Sequence, residues 1–253
     1  MHTFSVQPSF PHTPLFFLRV PLALIGFVAA SVYGVGIAVW RRDRRRVAHD
    51  YARMMVRLMR PPLGLRVRAE GRENLTRYSP CIYIANHQSL FDVIVLGEFY
   101  PVGTVVIGKK ELRRIPFFGW LYAVTGNVLI DRSDNPSAVG RMVEAEKAIT
   151  ERGVSVWIFP EGTRGKEPGT LLPFKKGAFY MAVATGVPLV PVVSGPVRPL
   201  FNPRRLRARP GTIEVRILEP IQTTGLKEDD VPTLIRTAHD RMQAALTELS
   251  DEC

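Results

Sequence analysis

The sequence predicts an α/β fold with a mostly parallel central sheet flanked by helices, preceded by an N-terminal membrane-associated helix pair. From Leu63 onward, short apolar runs alternate with helical stretches, the pattern of parallel strands joined by crossover helices. Ahead of that body, residues 20–40 form 21 positions without a charge, 16 of them from the apolar set. The charge is also divided unevenly. Residues 1–68 carry 11 Arg and no Lys against Asp43 and Asp50, a net of +9, whereas the other 185 residues carry only +2 of the total +11.

As a helix, residues 20–40 would be about 31 Å long, close to the hydrocarbon thickness of a bilayer. Arg41, Arg42, Arg44, Arg45 and Arg46 follow at once, and Trp40 suits an interface. Arginines beside an apolar span stay on the cytoplasmic side, which places the remainder of the chain on the cytoplasmic face of the cell membrane. A cleaved signal peptide carries its charges before the apolar run, not after it. A buried core helix is the plainer alternative, and Pro21, Gly26, Gly34 and Gly36 leave a kinked or re-entrant helix open. Residues 43–60 then repeat Val47, Tyr51, Met54, Met55 and Leu58 at helical spacing, with Arg53, Arg57 and Arg60 interleaved. This reads as a basic amphipathic helix of the headgroup layer, or else as an ordinary surface helix. Pro61-Pro62 is expected to end it, which divides the chain into a membrane-anchoring part, 1–62, and a body, 63–253.

Strands are expected at 65–69, 81–85, 104–107, 128–130, 154–159, 189–193 and 213–218. Helices are expected near 90–99, 110–124, 137–152, 175–185 and 229–249. The 137–152 helix presents Val139, Met142, Val143 and Ile149 on one side and stops at Gly153. The Pro/Arg-rich loop 196–210 reads as low in order.

With 253 residues, 46% of them apolar and 23% charged, the chain can bury a core and is not disordered. Cys81 and Cys253 cannot build a disulfide framework, and no residues show metal-ligand spacing, so neither metal nor cofactor is expected. A nucleic-acid-binding domain would spread its basic patch over the folded body, which here is nearly neutral. Nucleic acid is therefore not an expected partner.

In parallel sheets, functional groups gather at the carboxyl ends of strands. The strand at 81–85 runs into Asn86-His87-Gln88-Ser89-Leu90-Phe91-Asp92. An acid five residues after the histidine can fold back to the ring, fixing its tautomer and leaving the other nitrogen to take a proton. The plainer reading is a satisfied structural histidine with Asp92 as a helix N-terminal charge. The strand at 154–159 emits Pro160-Glu161-Gly162-Thr163-Arg164, a tight turn whose Arg164 can grip a phosphate with two parallel bonds, Thr163 adding a donor. Phe174-Lys175-Lys176-Gly177 opens the next helix, whose N-terminus favours an anion. A solvated surface turn is the alternative. There is no Walker loop and no Gly-x-Ser-x-Gly elbow, so a serine hydrolase lacks its nucleophile. Gly126 to Arg132 ends in the acid–base pair Asp131-Arg132, and Val187-Pro188-Leu189-Val190-Pro191-Val192 is an apolar run bracketed by prolines.

Together these residues resemble the 1-acyl-glycerol-3-phosphate acyltransferases of the glycerolipid acyltransferase superfamily. The four blocks of that family occur in order: Asn86-His87 with Asp92, Gly126 to Arg132, Phe159 to Arg164, and Val187 to Val192. The stretch Gly108-Lys109-Lys110-Glu111-Leu112, then Ile115-Pro116-Phe117-Phe118-Gly119, is similar to the bacterial phosphatidate-forming branch. The resemblance spans roughly residues 65–220. It implies a glycerolipid-acyltransferase-like domain whose acceptor is lysophosphatidate and whose donor is acyl-CoA or acyl carrier protein, working beside membrane lipids. His87 would be the general base and Asp92 its orienting acid. Arg164 would hold the substrate phosphate with Lys109 as second cation, Glu161, Gly162 and Thr163 would shape that loop, and Arg132 is a further candidate. The same fold acting on glycerol 3-phosphate or another lysolipid, or serving as a non-catalytic lipid-binding protein, stays open.

Overall fold

The computed structural model describes residues 13–130, 135–165, 167, 169–202 and 205–251. In chain order the helices are α1 (Thr13–Trp40), α2 (Arg44–Leu63), α3 (Asn74–Arg77), α4 (Asp92–Leu96), α5 (Phe118–Val124), α6 (Asn135–Arg152), α7 (Gly177–Thr185) and α8 (Val231–Asp251). The strands are β1 (Leu65–Glu70), β2 (Ile82–Ala85), β3 (Thr104–Lys109), β4 (Val128–Ile130), β5 (Ser155–Ile158), β6 (Leu189–Ser194), β7 (Phe201–Asn202), β8 (Arg207–Ala208) and β9 (Gly211–Ile217).

All seven expected strands join one sheet, in the order β1-β9-β6-β2-β5-β3-β4. Its neighbours are parallel except β6 with β9. The central strand β2 shows why an unbroken apolar run marks such a sheet: Tyr83 and Ala85 enter the core on one face, Ile82 and Ile84 the core on the other. α1, α2, α4 and α5 cover the first face, and α6, α7 and α8 cover the second. The carboxyl ends of β2, β3, β4, β5 and β6 share one edge, and β2 lies where the chain reverses its order across the sheet.

Several local expectations change. α2 does not stop before Pro61-Pro62 but runs through both to Leu63, closing on Gly64 at φ +67 with its N–H toward Arg60 and Pro61 carbonyls. The prolines fall in the last turn, where few helical bonds are lost. Pro62 cannot supply a helical N–H to the Leu58 carbonyl. The bare Gly26 of α1 packs there instead, since a Cβ on it would lie 2.7 Å from that oxygen. Arg60 is not on the solvated face of α2 but 9% exposed, turned inward. Its Nε donates to Ile94 O at 2.8 Å, its Nη2 to Val95 O at 2.5 Å, and it pairs with Glu98. The guanidinium thereby satisfies carbonyls at the C-terminal end of α4. Arg53 and Arg57 stay exposed.

The helical stretch at 110–124 splits into a 3₁₀ turn (Lys110–Arg114) and α5, with Pro116 between them. On α6, Val143 points outward and the inward face is Ala145, Ala148 and Ile149, all buried. Val139 and Met142 lie outside the described side chains. The loop at 196–210 is ordered enough to pair β7 with β8, and Phe201 is buried against Phe16 and Phe91.

α1 is long and apolar enough, over Leu15–Trp40, to cross a membrane. It is nevertheless packed along the body. Phe16 stacks on Phe201, Phe27 meets Phe118 at 6.0 Å between ring centroids, and a Cβ on Gly34 would press into Tyr51 and Leu121. Its other side, including Leu18, Leu22, Ile25, Val28 and Val32, is exposed.

Candidate active site

β2 ends at Ala85, and the next residue secures the turn that follows. Asn86 Nδ2 donates to Ser194 O at 2.9 Å and Ser194 N–H donates back to Asn86 Oδ1 at 2.8 Å, clamping the end of β2 to the end of β6. Gln88 Nε2 adds a bond to the same Ser194 carbonyl. The chain then bends so that Asp92, first residue of α4, faces backward. Its buried carboxylate accepts from the backbone N–H of Gln88 (2.8 Å) and of Ser89 (3.0 and 3.1 Å) and from His87 Nδ1 at 2.7 Å. An ionised carboxylate only accepts, so Nδ1 carries the proton and Nε2 keeps its lone pair. The ring also stacks on Phe159, at the end of β5, with centroids 4.3 Å apart. With its side chain about one-fifth exposed, His87 is held firmly yet open to a substrate.

The second support comes from far along the chain. Glu161 is buried, and its Oε1 accepts the His87 backbone N–H at 2.6 Å while Oε2 accepts Leu172 N–H at 2.9 Å. Gly165 N–H in turn donates to His87 O at 2.8 Å. The turn after β5 therefore grips the main chain of His87 on both sides. Burial pushes the Glu161 carboxyl above its ordinary value, although the two N–H donors and His87 favour its charged form. Because the folded protein holds this proton more tightly than the unfolded chain, its stabilisation is full below the ordinary carboxylate value and is lost as pH rises through the raised one. Glu161→Gln should leave one of the two N–H groups facing an amide NH₂, costing about 1–3 kcal/mol of stability, and should flatten this part of the pH dependence. Urea unfolding at a series of pH values checks both; an unchanged midpoint across the series would remove Glu161 from its bracing role.

Gly162, Thr163, Arg164 and Lys109 lie at the ends of β5 and β3, along the same edge. Gly162 has φ +69, which favours glycine, and its N–H closes the turn on Phe159 O at 3.0 Å. Thr163 and Arg164 are exposed at the tip, and Arg164 makes no hydrogen bond or ion pair with the described residues. Lys109 ends β3, exposed, with Nζ 3.3 Å from Glu111 Oε1. Arg132 lies outside the described residues. A residue that no sequence motif singles out, Arg198, joins them: its Nη2 donates to Gly165 O at 2.7 Å and steadies the residue after Arg164. It stands in the Pro/Arg loop, where nothing but its charge marks it.

Below this edge, a cavity of about 130 Å³ opens between α2, α4, α5 and the sheet. Its lining is almost wholly apolar, with Met55, Leu96, Leu121 and Trp157 as walls and Asp92 and Phe159 at the end next to His87. A braced His–Asp pair beside an apolar cavity, without a serine elbow, is suited to transfer of an acyl group onto a substrate alcohol. The acyltransferase family model matches residues 66–195, containing both members of the pair and the turn after β5. The chain is 37% identical to the 1-acyl-sn-glycerol-3-phosphate acyltransferase of Haemophilus influenzae, over 93% of this chain and 96% of that one. The Escherichia coli protein of the same name is 35% identical, over 94% and 96% respectively. The crystal structure of the 1-acyl-sn-glycerophosphate acyltransferase of Thermotoga maritima superposes with a TM-score of 0.75 at 27% identity, covering 94% of this chain and 95% of that one. This chain belongs to the 1-acyl-sn-glycerol-3-phosphate acyltransferase family.

Proposed function

We propose that the protein transfers a fatty acyl group from an acyl thioester to the sn-2 hydroxyl of 1-acyl-glycerol 3-phosphate, forming phosphatidate. The observation that carries this reading is the His87–Asp92 pair, held with Nε2 free at the edge where Arg164 stands unpaired among the described residues. Nε2 takes the proton of the sn-2 hydroxyl as its oxygen attacks the thioester carbonyl, and Asp92 balances the charge growing on the ring. Collapse of the tetrahedral intermediate breaks the C–S bond, and the departing thiolate recovers the proton from the imidazolium. The attack is direct. The described cysteine, Cys81, is buried, and burial pushes its thiol pKa up, so it is a poor nucleophile. The donor is acyl-CoA or acyl carrier protein, and the apolar cavity beside Asp92 has the chemistry to hold an acyl chain.

Arg164 is assigned the acceptor phosphate, with Thr163 next to it in the turn, Lys109 at the end of β3, the strand that pairs with β5, and Arg132 as a further cation. Loss of a charge-assisted hydrogen bond costs about 1.5–3 kcal/mol, so Arg164→Ala should raise KM for lysophosphatidate roughly 10- to 150-fold and leave donor KM nearly unchanged. Arg164→Lys should recover part of this, because the charge remains but the planar fork is lost. Initial rates with lysophosphatidate, glycerol 3-phosphate and a phosphocholine lysolipid test the substrate assignment. Equal kcat/KM for all three would overturn it, and a raised donor KM would move the turn to the thioester side.

Residues 1–62 are assigned the membrane contact. α1 follows the body from Phe16 to Gly34, so a perpendicular crossing would carry α5 and the β7–β8 hairpin into the hydrocarbon. An in-plane helix, exposed apolar side down and arginines 41–46 at the headgroups, fits the packing and keeps the body on the cytoplasmic face.

A further inference from the structure

We infer that the segment after β3 is a second membrane-docking element, inserting Ile115, Phe117 and Trp120 into the acyl layer of the same leaflet that α1 contacts. The inference rests on the membrane reading above and adds a contact to it. These side chains are 38%, 54% and 46% exposed, although they belong to a short segment rich in apolar residues that the core had room to absorb only in part. Phe118, Leu121 and Tyr122 do turn inward, whereas Phe117, just ahead of α5, and Trp120, on it, stay exposed.

The backbone holds this display in place. Phe117 sits at φ +61, a positive value that glycine usually takes, at a strain cost that an ordinary surface loop has no reason to carry. The turn is sealed by Gly119, whose N–H donates to Ile115 O at 2.7 Å and whose Cα lies so close to Arg113 that a Cβ would fall 2.2 Å from its carbonyl.

The occupant follows from two further features. α5 packs directly on α1 through Phe118 against Phe27 and Leu121 against Gly34, so the patch borders the helix whose exposed side is itself apolar. Arg113 and Arg114, both exposed, immediately precede the apolar residues, an order that sets guanidinium groups at lipid phosphates and rings below them. Because Phe118, Leu121 and Tyr122 also line the cavity next to Asp92, this contact brings the cavity's α5 wall to the membrane surface, where a lipid substrate is found.

Fluorescence on the full-length chain tests the contact. In a Trp40→Phe background, Trp157 is buried and Trp120 is the exposed tryptophan, so its emission should be quenched by phosphatidylcholine vesicles with brominated acyl chains and not by unbrominated ones. Phe117→Ser with Trp120→Ser should weaken vesicle partitioning by about tenfold or more and raise KM for vesicle-borne lysophosphatidate in proportion. The same variant should keep wild-type kcat on a short-chain, water-soluble lysophosphatidate. Absence of quenching overturns the inference, as does equal loss of rate on the soluble acceptor, which would make the segment part of the fold. Concentration-dependent self-association abolished by the double variant would assign the patch to a second copy of the chain and also overturn it. Failure of the wild-type protein to acylate any lysophosphatidate, with quenching intact, would instead remove the proposed activity and leave the docking element standing.

Discussion

Replacing His87 by alanine is expected to lower kcat by about 10²- to 10⁴-fold or more, the range supplied by a positioned general base. Stability should barely change. The bonds that shape this turn run through the His87 backbone, from its N–H to Glu161 and to its carbonyl from Gly165, and alanine keeps both. What is lost is the imidazole with its stack on Phe159 and its bond to Asp92, whose carboxylate keeps the N–H groups of Gln88 and Ser89. Steady-state kcat measured beside a urea midpoint separates the two effects. Retention of more than about a tenth of wild-type kcat is incompatible with a general base of this strength.

Asp92→Asn should also cut kcat heavily, on the order of 10²- to 10⁴-fold, but for a different reason and with a different accompaniment. Asp92 accepts from His87 Nδ1 and from the N–H groups of Gln88 and Ser89. An asparagine offers one acceptor oxygen and an NH₂, so at least one donor is left facing a donor. If the NH₂ turns to the ring, the tautomer inverts and Nε2 carries the proton it is meant to accept. If it turns to the backbone, the loop loses its anchor at a cost of about 1–3 kcal/mol. Asp92→Asn should therefore be both slow and less stable, unlike His87→Ala. Equal stability with full kcat would reduce Asp92 to a helix-terminal charge.

The two ends of α4 are held by different partners. Asp92 at its start fastens the loop that carries His87, and Arg60 from α2 caps the carbonyls of Ile94 and Val95 near its end. A helix of five residues has little stability of its own, so its orientation depends on these two attachments. The helix pair assigned to the membrane is thus joined by hydrogen bonds to the element that positions the histidine.

Much of this architecture is legible in the amino-acid sequence. Unbroken apolar runs mark β2, β5 and β6, which are buried at nearly every position, whereas β1 and β9 are marked by alternation, because one face of each is not buried. The His87–Asp92 contact is legible because both partners lie within one turn of chain, five residues apart. Glu161 is legible only as part of a turn, since its grip on His87 spans 74 positions and depends on β2 and β5 being neighbours.

By itself the sequence determined the α/β class, the strands, the local His–Asp pair and the presence of an apolar helix followed by arginines. These are short-range properties, set by the spacing of residues along one strand, turn or helix. Tertiary structure alone decided which arginine of α2 turns inward, which aromatics of 115–120 remain outside, and that α1 lies along the body. It also decided that Glu161 braces the main chain of His87 and that Arg198 steadies the turn after β5. Each of these depends on which elements pack together, and two side chains of the same chemistry can be assigned opposite environments by a neighbour far away in sequence. Arg57 and Arg60, one turn apart on the same helix, show it: only Arg60 meets the open carbonyls of α4, so only Arg60 is buried.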